Sequence, residues 1–145
     1  MSLLNKFIDF LNDANWKYIV EGNQIYYGYQ GNNSIMEFYI EIDETRECIT
    51  FNSEIPSRFT QEQYVYGAMA CCVANYGLQY GCFNILNDGR VIYSVANFMN
   101  ESCGEKAFYF ITNHIHQTCD FYNDKFYALQ KQQIDFDEFR RLVNK

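Results

Sequence analysis

Met36, Phe38, Ile40 and Ile42 alternate with Glu37, Tyr39, Glu41 and Asp43. A period of two belongs to a strand with one buried and one wet face, predicted here over residues 34–43. Shorter apolar runs predict strands over 16–21, 24–30 and 48–53. They are divided by Gly22-Asn23, by Gly31-Asn32-Asn33 and by the charged turn 44–47. Leu4, Phe7, Ile8 and Leu11 have helical spacing and predict a first helix over 2–14.

Pro56 marks a joint after the fourth strand. Tyr64, Ala68, Cys72 and Tyr76, with Val65 and Met69 beside them, predict a helix over 61–76. Thr60 and Gln63 fit a capping box at its start and Gly77 a cap at its end. Asn75 interrupts this stripe, and a buried amide there needs backbone partners in the following turn. Asp88-Gly89 between the runs 80–86 and 90–97 predicts a tight hairpin, because both positions can take positive φ. A long helix follows, with Ser102 as its cap and Glu105 at the box position. Ala107, Ile111, Ile115, Cys119 and Tyr122 are spaced to face the sheet, widened by Phe108, Phe110 and Phe121. A short last helix covers 135–143, with Asp137 and Glu138 early and Arg140 and Arg141 late, as the helix dipole favours. The order α-β-β-β-β-α-β-β-α-α predicts an α+β fold, an antiparallel sheet packed against helices, in a single domain over 1–145.

Composition narrows the function. A net charge of −7 over 145 residues repels phosphate backbones and anionic membranes, so neither nucleic acid nor membrane is an expected partner. Aromatic content of 19% suits half-exposed sheet faces, where Tyr keeps a polar tip. Six cysteines form no C-x-x-C pair and read as reduced packing residues of a cytoplasmic protein.

No set of residues amounts to an active site. His116, Cys119 and Asp120 share a helical face at i, i+3 and i+4, but lack a further ligand for a metal and an orienting group for a nucleophile. The segment 134–139 resembles the end of a calcium loop, yet Tyr127, Leu129 and Lys131 stand where oxygen ligands belong. No glycine-rich turn opens a helix in a nucleotide-binding context. No catalytic residue, metal site or cofactor is therefore expected. Glu37, Glu41 and Asp43 form an acidic row around Tyr39, a surface that suits basic or mixed peptides.

Phe10-Leu11 and Trp16-Lys17-Tyr18 open a longer pattern. It continues through Met36 to Ile42, Phe51, Ile55-Pro56, Ala74-Asn75-Tyr76, Gly81-Cys82-Phe83 and Asp88-Gly89-Arg90-Val91. In this the chain resembles the YbjN-like family of bacterial sensory-transduction regulators over residues 4–129, with 130–145 as a C-terminal helical extension. The resemblance implies a type III secretion chaperone-like fold, protein binding rather than catalysis, and a homodimer. It carries no catalytic residue over.

The expectation is a non-enzymatic, chaperone-like regulator holding a protein partner by its sheet face or edge. Tyr27, Tyr29, Glu37, Tyr39 and Glu41 are the expected contacts, and Asn75, Asp88 and Gly89 structural residues. The alternatives are a small metal- or ligand-dependent enzyme using His116, Cys119 and Asp120, and an acidic immunity-type protein that neutralises a basic partner.

Overall fold

A computed structural model describes residues 2–100 and 102–144. Helix α1 (Leu3–Asp13) is followed by strands β1 (Tyr18–Glu21), β2 (Gln24–Gln30), β3 (Ile35–Asp43) and β4 (Cys48–Arg58). A 3-10 turn (Gln61–Gln63) leads into α2 (Tyr64–Tyr76). Strands β5 (Cys82–Ile85) and β6 (Arg90–Phe98) precede α3 (Glu105–Gln130) and α4 (Phe136–Val143). The strands form one antiparallel sheet in the order β1-β2-β3-β4-β6-β5. The α+β fold is as the sequence predicts.

The alternation in β3 lays Met36, Phe38, Ile40 and Ile42 into the core. Helices cover that face. Phe7 of α1 meets Phe51 of β4 at 5.8 Å and Phe108 of α3 at 5.7 Å between ring centroids. Phe83 of β5 meets Tyr122 and Phe126 of α3, each at 5.1 Å. Burial of such rings is the main favourable term for this layer pair. Two caps hold α1 in place: Ser2 Oγ accepts from Asn5 N at 3.1 Å, and the Glu44 carboxylate accepts from Leu3 N and Leu4 N at 2.8 and 3.0 Å. Acidic groups are favoured there because the first turn leaves amide groups unpaired.

Three local expectations need correction. Strand β4 does not stop at residue 53 but runs through Pro56. Its pairing with β6 is irregular between Glu54 and Arg58, so the proline sits where its missing N–H leaves no gap in a regular ladder. The hairpin after β5 is a three-residue loop, Asn87-Asp88-Gly89. Gly89 N donates to the Leu86 carbonyl at 2.9 Å and Leu86 N to the Arg90 carbonyl at 2.8 Å. Only Gly89 takes positive φ in that loop (89°), and a side chain there would collide with the Phe59 carbonyl oxygen. Helix α3 begins at Glu105 with Gly104 as its cap, so Ser102 does not serve.

The buried face of α2 is rotated from expectation, whereas on α3 the expected Phe108, Ile115, Cys119 and Tyr122 are buried and polar residues join them. On α2 the inner residues are Gly67, Ala70, Cys71 and Ala74, small enough for the helix to approach its neighbours closely. Val65, Met69, Cys72 and Tyr76 lie outside. On α3 the inner face carries Phe108, Thr112, Ile115, His116, Cys119, Asp120, Tyr122 and Asn123, whereas Phe110 and Phe121 are exposed.

The open face of the sheet as candidate functional site

The strand registers define a continuous row on the face that the helices leave uncovered. Ile19 of β1 pairs with Tyr26 of β2, Tyr26 with Tyr39 of β3, and Tyr39 with Asn52 of β4. Asn52 pairs with Ser94 of β6, and Ser94 with Cys82 of β5. Adjacent positions in such a row interact directly. Tyr26 and Tyr39 stack at 6.5 Å with 29° between their planes. Ser94 Oγ donates to Asn52 Oδ1 at 2.6 Å. One end of the row is therefore tied by a polar contact, and the other is an aromatic and aliphatic surface. Carboxylates flank that surface: Glu37 and Glu41 on β3 at the positions two before and two after Tyr39, and Glu54 on β4. Partial burial and the neighbouring Glu41 charge raise the Tyr39 pKa, so its hydroxyl stays protonated and can donate.

The two sheet edges differ. At β5, Asn75 of α2 donates through Nδ2 to the Phe83 carbonyl at 2.9 Å, and its Oδ1 accepts from Phe83 N at 2.7 Å. The side-chain amide occupies the place of a neighbouring peptide and closes that edge. At β1 the strand has β2 on one side only, and Ile19 and Val20 are exposed. An open edge of this kind is a template for strand addition.

Of the five expected contacts, Glu37, Tyr39 and Glu41 lie on the open face. Tyr27 and Tyr29 do not, because alternation along β2 turns them with Ile25 toward the helices. Tyr27 is buried, stacked on Trp16 at 5.4 Å and on Phe38 at 5.3 Å. Burial holds its pKa well above the usual tyrosine range. Tyr29 stacks on His116 at 4.0 Å. Tyr26, Ile19 and Glu54 are members of the open surface that the sequence reading passed over. The parity of Ile25 against Tyr26 was the signal that could have found the tyrosine.

His116, Cys119 and Asp120 do share a helical face, but each is separately engaged. His116 Nε2 and the Tyr27 hydroxyl are hydrogen-bonded at 2.8 Å, and burial pushes the imidazole pKa down to about 4. Asp120 takes Asn32 N, Asn33 N and Ser34 N at 3.0, 2.9 and 3.0 Å, clamping the β2–β3 turn. Gly31 is required beside it, since any side chain there would run into the Asp120 carboxylate. Cys119 is buried, and burial raises its pKa, which keeps the thiol protonated and poorly nucleophilic. Among the described residues no group of three or more His, Cys, Asp or Glu side chains is placed to hold a metal ion. At the hairpin, the Asp88 carboxylate accepts from Arg90 N and Nε at 3.2 and 2.8 Å, and these bonds lower its pKa.

No protein-family model matches the sequence, and no curated protein matches it. Solved structures do. The chain superposes on YbjN from E. coli, described as a candidate transcription regulator, with a TM-score of 0.66, covering 89% of this chain and 93% of that one at 10% identity. It superposes on a chain of the HopA1–SchA chaperone–effector complex with a TM-score of 0.57, covering 84% of this chain and 94% of that one at 9% identity. The fold is therefore YbjN-like and similar to that of a chain of a chaperone–effector complex. Among the described residues no helix is long and apolar enough to cross a membrane.

Proposed function

We propose that this chain is a non-enzymatic protein-binding regulator or chaperone-like protein that holds a partner on its open sheet face and the adjoining β1 edge. The observation that carries the reading is the row Ile19–Tyr26–Tyr39, with Ile19 and Tyr26 exposed and Tyr39 half-buried beside them, flanked by carboxylates and next to the β1 sheet edge, which no side chain closes among the described residues. Exposed aromatic anchors within a polar rim are the composition of a binding surface. The shared fold with a chaperone–effector complex supports a protein as partner. The acidic flank favours a basic or mixed one, and the six unpaired cysteines favour a reducing compartment such as the cytoplasm.

The same reading includes self-association through α2. Val65, Met69 and Tyr76 on its outer face are 66%, 42% and 90% exposed, a patch of apolar surface that a second copy would cover. Light scattering that finds only monomer at high concentration would remove the dimer and leave the open-face reading intact.

The deciding experiment is affinity capture of binding proteins with the wild-type chain, then quantitative binding of the captured partner to Tyr39→Ala and Glu41→Ala. Both variants are expected to weaken it at least tenfold, about 1.4 kcal/mol. Unchanged affinity in both would overturn the surface assignment. Binding that survives high salt would argue for apolar anchoring and against the immunity-type reading, because exposed charge pairs are screened.

A further inference from the structure

Gly28 opens a notch in the uncovered sheet face, and we propose that this notch receives an arginine side chain carried by the partner. The inference rests on the open-face reading and names the chemistry that surface would select.

Gly28 lies two residues after Tyr26 on β2 and pairs with Glu37 on β3. Neither space nor backbone demands a glycine there. A Cβ would meet only the Met36 carbonyl oxygen, at 3.7 Å, an ordinary contact, and the residue does not take positive φ. Glycine inside a strand weakens it and gives up a packing side chain. Gly28 lines an open hollow of about 470 Å³, with Tyr26, Tyr39, Glu37 and Glu54 among its walls, and a larger side chain there would take up part of that space.

The two carboxylates in the hollow, Glu37 and Glu54, stand close together without a bonded cation among the described residues. Phe38 pairs with Ser53, and one step further along the same strands stand Glu37 and Glu54. Like charges brought together across strands are destabilising. Neither carboxylate has an ion-pair partner among the described residues. Lys17 also lines the hollow and Arg58 lies beyond Glu54, but neither is bonded to the carboxylates. Arg90, which acts on Tyr39, is held by Asp88 at 2.8 Å. A local repulsion beside an unexplained gap is what a cationic guest would relieve.

The walls select the kind of cation. A guanidinium is planar, stacks on an aromatic face and forks onto carboxylates. The tyrosine rings and the two glutamates supply both contacts. A lysine ammonium, compact and strongly hydrated, would use the charge but not the rings.

The test is an NMR titration of the labelled chain with the peptide acetyl-Gly-Gly-Arg-Gly-Gly-amide, and with its citrulline and lysine counterparts. The arginine peptide is expected to shift the amides of Tyr26, Gly28 and Glu37 and to bind about tenfold tighter than citrulline, its neutral isostere. Gly28→Leu should fill the hollow and abolish the shifts. Glu37→Gln with Glu54→Gln should also weaken binding, while its melting temperature stays level or rises because the repulsion is gone. If Gly28→Leu fails to fold, this second variant decides. Equal binding of arginine and citrulline peptides, or shifts indifferent to these substitutions, would overturn the proposal. Failure here with loss of partner binding in Tyr39→Ala would leave the open-face reading standing. Partner binding unchanged in every open-face variant would remove both.

Discussion

On β2, Tyr27 is 4% exposed and Tyr26, one position away, is 37% exposed. Tyr27 enters a cluster with Trp16, Phe38 and His116, where its hydroxyl has a fixed partner. Tyr26 stacks on Tyr39 and otherwise meets solvent, its hydroxyl donating to Gln24 Oε1 on the same strand. The same residue type is thus packed into the core on one face and left partly open to solvent on the other. The two faces should respond oppositely to mutation: the covered face in stability, the open face in binding.

The largest effect is expected at Asp120. Replacing it with Ala leaves the amides of Asn32, Asn33 and Ser34 without their acceptor in a part-buried turn. A loss of about 3 kcal/mol is expected, read by urea denaturation. A loss below about 1 kcal/mol would mean that water replaces the carboxylate and that the covered face is less committed to stability than its geometry implies.

Next is the response to acid. His116 titrates near 4 in the fold because it is buried, against about 6.5 in an unfolded chain. Below pH 6.5 the unfolded chain binds the proton first, so the stability present at pH 7 falls as pH drops toward 4 and levels off below it. The drop attributable to this residue is on the order of 3 kcal/mol. His116→Leu should flatten that part of the stability profile. A profile unchanged by the substitution would show that carboxylates alone govern acid unfolding.

Asn75 comes third. Asn75→Ala breaks both hydrogen bonds to Phe83 and is expected to cost about 2 kcal/mol. It also uncovers the β5 edge, so the variant should aggregate faster than wild type on heating, followed by light scattering. Aggregation at the wild-type rate would show that α2 covers the edge without help from the amide.

How much of this contrast could be read from the chain depends on the signal each element carries. β3 is legible because one alternation settles both faces. β2 holds aromatic residues at consecutive positions, Tyr26 and Tyr27, and aromatic content alone does not say which is buried; only the parity of Ile25 does. α2 misleads because its apolar residues surround the helix and its buried side is chosen by size, through Gly67, Ala70 and Ala74. α3 hides its inner face behind His116, Asp120 and Asn123, polar groups whose partners lie on the other side of the chain. The row from Ile19 to Cys82 depends on long-range strand pairing, which no local pattern encodes.

The smallest effect on stability, and the sharpest test of the contrast, belongs to the open face. Tyr26→Ala and Tyr39→Ala each remove a ring that contacts the other and little of the core. Each is expected to change stability by less than about 1 kcal/mol, the worth of a partly exposed cross-strand aromatic pair. The double variant should then cost little more than either single one, because the contact is lost once. Chemical denaturation of the two single variants and the double one gives this coupling directly. A large, additive loss would mean that the tyrosines hold the sheet together by separate contacts. A small, non-additive loss, together with weakened partner binding, would mean that the face is kept aromatic for recognition, since the fold itself gains so little from it.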